Sequence, residues 1–400
     1  MKYDVQAIRE HFPSLTSGVA FFDGPGGSQV SQTVADAVSA TLTSPISNRG
    51  TSTASARRAD DVVRAARAAM GDLLGSDPQG IVFGRSMTQL TYDFARTLAK
   101  WWAPGDEVVV TRLDHDANIR PWIQAAAKVG AKVRWVDFDP ETSELTAEAI
   151  AAVLSDRTRV VAVTGASNLT GTRPPIEQIA AQVHAAGALL FLDGVHLAAH
   201  CAVDRAALGA DLLVCSPYKF GGPHCGVLAG RVDLLEELTP DKLLPSTNQV
   251  PERFELGTLP YELLAGAHAA VDFLAGLASD EGTRRERLEA SMSALEEHET
   301  ALREHIEEHV AKLSAVHIHS RAASRTPTIL LSVDGFTAAE VQGHLAELDV
   351  YAAAGSFYAL EASRALGLGD DGAVRIGLSM YNDEADADRL IAGLTSLAAG

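Results

Sequence analysis

Cysteine is scarce in this chain. Three occur in 400 residues, Cys201, Cys215 and Cys225, an odd number with no CxxC spacing. They do not make a disulfide framework. Basic charge is short too: 33 Lys and Arg stand against 52 Asp and Glu, a formal net charge of −19. Nucleic acids and anionic membranes need basic patches, so neither is expected as a partner. No apolar run approaches the ~18 residues of a membrane span. The stretch MKYDVQAIREHFPSL has no apolar signal core, which makes the cytoplasm the expected location. Internal repeats, low-complexity tracts and long linkers are also lacking. Two phosphate fingerprints are missing: GxxxxGK followed by Ser or Thr, and a GxGxxG opening the first βα unit.

What is present reads as a large globular chain. Residues are 46% hydrophobic and 21% charged, enough over this length for two domains. From about residue 75 to 265, apolar β-rich runs alternate with alanine-rich helical stretches. The runs are GIVFG (80–84), EVVVTR (107–112), KVRWVDF (132–138), RVVAVTGAS (159–167), ALLFLDG (188–194), DLLVCS (211–216) and GVLAGR (226–231). This alternation predicts an α/β fold with a mainly parallel seven-stranded sheet covered on both faces. The last runs lie close together, so the strand near 226–231 is expected to be antiparallel. Beyond 265 the pattern changes. Leu288, Met292, Leu295, Leu302, Ile306 and Leu313 recur at helical spacing on a charged helix. Short strand signals follow at 327–333 and 373–379. The expected division is a large domain over 21–265 and a smaller α+β domain from 1–20 and 266–400.

In a sheet of this kind ligands bind at the carboxyl ends of the strands. Arg85, Ser86, Met87 and Thr88 follow the first strand, with small polar residues at a helix start. They form an anion site or simply a cap by Ser86. Asp114, His115, Asp116 and Asn118 follow the next, then Asn168, then Asp193 and His196, then Ser216 and Lys219. His196, His200 and His224 lie near the cysteines in sequence, so zinc has to be weighed. HLAAH lacks the glutamate that HExxH hydrolases use as base, and no metal site is expected. Taken together, the strand ends deliver a phosphate site, an acid, imidazoles and a lysine to one rim. That inventory suits pyridoxal 5′-phosphate. The cofactor needs an amine for its aldehyde, a carboxylate against its pyridine nitrogen, a platform for its ring and an anion site.

Nine segments in order then carry a resemblance: FFDGPGGSQV, NRGTSTASARR, GRSMTQL, LDHDANIRPW, ASNLTGT, FLDGVHLAAHCAVD, CSPYKFGGPHCGVL, FELGTLPYE and VRIGLSMYN. The chain resembles the class V aminotransferase family of fold-type I pyridoxal-phosphate enzymes, and within it the cysteine-desulfurase-like proteins. The resemblance implies that Lys219 anchors the cofactor covalently, Asp193 pairs with the pyridinium nitrogen and His115 stacks on the ring. Asn168 and His196 would approach the ring's phenolic oxygen, while Met87, Thr88 and Ser216 hold the phosphate. Thr258, after Gly257, matches a motif that reaches the neighbouring subunit's phosphate, implying a homodimer with shared active sites. Arg375 would clamp the α-carboxylate of a small amino-acid substrate. Asn48, Arg49 and Tyr358 are expected in its pocket walls. One departure bears on the reaction. The loop AAGSFYALEASRALGL has Tyr358 where desulfurases carry a mobile cysteine. The expected chemistry is Cα-proton abstraction followed by β-elimination, as in a carbon–sulfur lyase. A desulfurase using another thiol, an epimerase, an aminotransferase and a cofactor-binding protein without turnover are the alternatives.

Overall fold

A computed structural model describes residues 3–399. Thirteen strands are β1 (Ala20–Phe21), β2 (Ile81–Gly84), β3 (Glu107–Thr111), β4 (Lys132–Val136), β5 (Thr158–Thr164), β6 (Leu189–Asp193), β7 (Leu212–Cys215), β8 (Gly226–Gly230), β9 (Val316–Ile318), β10 (Thr328–Val333), β11 (Val350–Tyr351), β12 (Ala353–Gly355) and β13 (Ala373–Gly377). Seven form one sheet in the order β2-β8-β7-β6-β5-β3-β4. β7, β6, β5, β3 and β4 run parallel, while β8 is antiparallel to both β2 and β7. All seven expected strands are present, and the antiparallel one is where it was expected. Strands β5 and β6 are buried along nearly their whole length, as continuous apolar runs require. β4, at the edge, alternates between exposed and half-buried positions.

Helices cover both faces. Two separate apolar cores result, one on each side of the sheet. The helix Arg120–Val129 packs its Trp122 and Ala126 into one, and the helix Ile176–Ala185 packs Ile179 and Val183 into the other. A third core belongs to a four-stranded antiparallel sheet, β12-β13-β10-β9. Ala20 and Phe22 enter this third core, because β1 pairs in parallel with β11. The charged helix Arg284–Val310 buries Leu288, Met292, Leu295, Leu302 and Ile306. Leu313 is a correction: the helix has ended at Val310, and Leu313 sits in the following turn with its N–H bonded to the Val310 carbonyl at 3.0 Å.

One consequence of this layout matters for function. β13 of the second sheet is bridged to Asp23 through Gly377. A Cβ on Gly377 would lie 1.9 Å from Pro25 Cδ, so only glycine allows the segment 23–27 this close. That contact brings Arg375 and the DGPGG segment to the carboxyl ends of the parallel strands.

Candidate active site

A cavity of about 480 Å³ opens at those strand ends. It is lined by Met87, Thr88, His115, Asn168, Asp193, His196, Ser216, Lys219, Tyr358 and Arg375. Ten of the expected site residues therefore meet in one place. Asn48, Arg49 and Thr258 do not line it. Asn48 and Thr258 are exposed, and Arg49 is paired with Asp60 at 2.9 Å and Glu252 at 3.2 Å. A cleft of about 570 Å³ beside Arg173 and Glu177 brings none of the expected residues together.

Lys219 lies in the short turn Pro217–Phe220 that follows β7, closed by Gly221 at φ +80°. Its ammonium donates to the Pro25 carbonyl and, at 3.0 Å, to the Gly26 carbonyl. Burial, helped by the Arg375 charge and opposed by Asp193, brings its pKa down to about 7. Asp193 ends β6 and accepts from the Val195 N–H at 3.0 Å. Burial pushes its pKa up to about 6, against that backbone bond and the Lys219 charge. Asp114, the residue before His115, is fully buried. It accepts from Asn118 Nδ2 at 2.7 Å and from the Thr111 hydroxyl, and burial pushes it up to about 8. Of the two carboxyls, Asp193 is the one ionised at neutral pH.

His115 accepts from the Ala117 N–H through Nδ1 at 3.0 Å, which leaves its proton on Nε2. Burial, with Lys219 and Arg375 nearby, lowers its pKa to about 4, so the ring is neutral. His196 Nε2 contacts the hydroxyls of Thr328 at 2.9 Å and Thr326 at 3.0 Å. Its charged form is strongly disfavoured, first by burial and then by the His200, Arg375 and Lys219 charges.

Ser86 does cap the helix Met87–Leu98, accepting from the Gln89 N–H at 3.1 Å. The first N–H groups of that helix have no carbonyl a turn earlier to bond. Ser216 Oγ is buried with no hydrogen-bond partner. Gly226 packs against this corner; a Cβ there would lie 2.2 Å from the Ser86 carbonyl carbon. At the other end of the cavity, Arg375 of β13 is 2% exposed. Its Nη1 donates to the Asn168 carbonyl at 2.8 Å, and its guanidinium lies 3.7 Å from the Phe357 ring centroid. Nε has no partner. Burial lowers its pKa to about 9, with Asp23 acting the other way. Asn168 Nδ2 donates to the Phe357 carbonyl at 3.0 Å, leaving its Oδ1 buried and unpartnered.

Sequence reasoning placed Asp23 and Phe357 only within segments expected to wall the pocket, and Asp114 only among the polar residues of the rim, with no individual role for any of them. For Asp114 and Phe357 the signal was adjacency, since each precedes a residue already singled out. Phe357 and Tyr358 both adopt left-handed backbone conformations, φ +54° and +58°, which nothing in their side chains announces.

The fold and this set of groups define a fold-type I pyridoxal-phosphate enzyme. Two solved structures share the fold over the whole chain. They are cysteine desulfurase CsdA from Escherichia coli, with a TM-score of 0.87, 24% identity and 99% of that chain covered, and the apo cysteine desulfurase from Thermococcus onnurineus NA1, with a TM-score of 0.89, 22% identity and 99% covered. The Aminotransferase class-V family model matches residues 20–390, and the chain belongs to that family. Among its relatives is an uncharacterized protein of Mycobacterium tuberculosis, 33% identical over 99% of this chain and 100% of its own length. An aminotransferase-like protein of Gibberella zeae is 30% identical over 98% of both chains. A cysteine desulfurase of Salmonella agona is 28% identical over 99% of both. The family uses pyridoxal 5′-phosphate, and the residues present fit it. The unpartnered Ser216 hydroxyl and open helix N–H groups suit the phosphate, the unpartnered Asn168 Oδ1 the ring, Asp193 the ring nitrogen, and the buried amine the aldehyde.

Proposed function

We propose that the protein removes the Cα proton of a small amino acid or cysteine conjugate and completes a β-elimination, releasing the sulfur group as a thiol. The observation that carries the reading is the pairing, in one cavity, of a buried amine with a depressed pKa and a buried arginine with an open edge. When bound, pyridoxal 5′-phosphate supplies an electrophilic aldehyde and a cationic ring that accepts the electron pair left at Cα. Lys219 Nζ would hold the aldehyde and, when free of it, would take the substrate's Cα proton. Asp193, ionised at neutral pH, holds the positive charge of the ring nitrogen. Neutral His115 packs on the ring face, and His196 donates toward the phenolic oxygen, with the Asn168 amide beside it. Ser216 and the Met87 and Thr88 N–H groups bind the phosphate. Arg375 offers its Nε and Nη2 edge to the α-carboxylate, while Nη1 and the Phe357 ring fix its plane. Tyr358 walls the mouth of the cavity.

The desulfurase relatives favour a second reading, transfer of sulfur to an enzyme thiol. All three cysteines are buried away from the cavity lining. Burial pushes the thiols of Cys201 and Cys225 up to about 12, and that of Cys215 higher still. Such thiols are poor nucleophiles. Thr258, with Asn48 and Arg49, belongs in this reading to the site of a second subunit in a homodimer. Residues 21–265 form the cofactor-binding domain, with 1–20 and 266–400 as the smaller one.

The test is a panel of cysteine conjugates and simple amino acids given to the holoenzyme. Pyruvate with ammonia and free thiol supports elimination. Deuterium at Cα alone means racemisation, and keto acid with pyridoxamine phosphate means transamination. Persulfide formed from free cysteine would restore the desulfurase reading. No turnover of any compound would leave a binding protein. Covalently bound cofactor persisting in Lys219→Ala would refute the anchor.

A further inference from the structure

The mouth of the cavity carries two charged groups that none of these steps uses. Asp116 and Arg120 both line it. Arg120 opens the helix Arg120–Val129 and is held on two sides. Its Nε stands 2.7 Å from Asp116 Oδ1, and its Nη2 donates to Glu361 Oε1 at 2.7 Å. Glu361 is shared with Arg112, whose Nη1 donates to it at 2.7 Å. Among the described residues, nothing accepts a hydrogen bond from Arg120 Nη1. Asp116 Oδ1 is buried against Arg120, and among the described residues nothing donates to its Oδ2, while the side chain as a whole is about a third exposed. Burial raises the Asp116 pKa above its usual range, with Arg120 opposing. The mouth therefore offers one open guanidinium N–H group, on Arg120 Nη1, and one open carboxylate oxygen, on Asp116 Oδ2, side by side. Arg375 serves the α-carboxylate in the same cavity.

A ligand carrying one sign of charge meets resistance here. A second carboxylate would face Asp116, and a cation would face Arg120. A zwitterion meets both signs favourably, with its carboxylate on Arg120 Nη1 and its ammonium on Asp116. We propose that this pair reads the far end of the substrate, and that the preferred substrate is a cysteine thioether whose second arm ends in an amino-acid head group. The inference rests on the elimination reading. In the step, the Cα–H bond breaks and Lys219 takes the proton. The Cβ–S bond breaks with its electron pair going to sulfur, which leaves as the thiol of the second amino acid. Water then converts the remaining three-carbon unit to pyruvate and ammonia, with no net oxidation or reduction.

Four L-cysteine thioethers of similar length test it on the holoenzyme: lanthionine, S-(2-carboxyethyl)-cysteine, S-(2-aminoethyl)-cysteine and S-propyl-cysteine. Pyruvate release gives kcat/KM, and the change in cofactor absorbance on mixing gives Kd even without turnover. Lanthionine is expected to be preferred by at least about tenfold over each of the others, the worth of a charge-assisted hydrogen bond. Arg120→Gln and Asp116→Asn are each expected to cut that preference to about threefold or less. If Arg120→Gln does not fold, Asp116→Asn reads the same preference from the other charge. Equal Kd values across the four compounds, or a preference that survives both substitutions, overturns the inference. A preference in Kd without pyruvate from any compound keeps the head-group site and sinks the elimination reading instead.

Discussion

The most direct consequence of the site's burial is the titration of Lys219. An ordinary lysine has a pKa of about 10.4, so at pH 7 only about 4 in 10,000 side chains are neutral. With a pKa near 7, about half of the Lys219 side chains carry the free amine. The gain in reactive amine is about a thousandfold, of which the lower basicity of the amine returns a part. The assay is reconstitution. Protein stripped of cofactor is mixed with pyridoxal 5′-phosphate between pH 5.5 and 9, and growth of the visible band is followed. The rate should climb tenfold per pH unit below 7 and flatten above it. The causes of the shift can be separated as well. Removing the neighbouring charge in Arg375→Gln should move the break upward, and Asp193→Asn should move it downward. The same shift has a sign for stability. Between about 7 and 10.5 the folded, cofactor-free protein binds fewer protons than the unfolded chain, so this group makes stability rise with pH across that window. A rate still rising tenfold per pH unit up to pH 9 would refute the reasoning.

Three further outcomes are expected. Gly226→Ala puts a methyl group 2.2 Å from the Ser86 carbonyl carbon. It should weaken cofactor binding by about tenfold or more, a loss of roughly 1.4 kcal/mol, in an equilibrium titration, and an unchanged Kd would contradict the phosphate assignment. Glu255 accepts from Arg67 Nη1 and Nη2, both at 2.8 Å, and from the Phe83 N–H at 2.9 Å, all buried. Glu255→Ala should cost about 3–5 kcal/mol in urea unfolding, and Arg67→Met with Glu255→Leu should recover much of it; a loss under about 1 kcal/mol would show the pair is not isolated from solvent. Iodoacetamide at pH 8 should leave Cys201, Cys215 and Cys225 unmodified in the folded protein and label all three in denaturant, since burial holds their thiols protonated.

Much of the architecture was legible because its signals are local. Continuous apolar runs in β5 and β6, and the close spacing of β7 and β8, announce buried strands and a reversal. The rim was legible for a related reason: in a parallel sheet, the residue after each strand lands on the same edge. Asp193 and Lys219 stood out by their places, at the end of β6 and just after β7, while their roles came from the family resemblance. What stayed hidden depends on contacts between distant segments. The Pro25 and Gly26 carbonyls on Lys219, the Phe357 ring on Arg375 and the Glu361 link to Arg120 join residues 194, 18 and 241 apart or nearly so. No periodicity encodes such pairs. The end of the long helix at Val310 was misread because Leu313 continues the apolar spacing past a break made by backbone geometry.

The loop carrying Tyr358 bears on the choice between elimination and sulfur transfer. A residue that ferries sulfur from a cavity to an outside acceptor has to swing between the two. Here the loop is tied down at several points. The Phe357 carbonyl accepts from Asn168 at 3.0 Å, and the Tyr358 carbonyl accepts from the Asp116 N–H at 2.7 Å. The Phe357 ring lies against Arg375, and Glu361 just beyond holds two arginines. Two consecutive left-handed residues at Phe357 and Tyr358 are kept in place by those ties, at a cost of order 1–3 kcal/mol each. Releasing the loop would break four polar contacts and uncover the Arg375 guanidinium. The loop is thus built as a wall, in the place where the desulfurase resemblance puts a moving thiol. With the backbone at Tyr358 held and no cysteine in the cavity lining, the proposed elimination, in which the sulfur departs with the substrate's own leaving group, needs no movement of this loop.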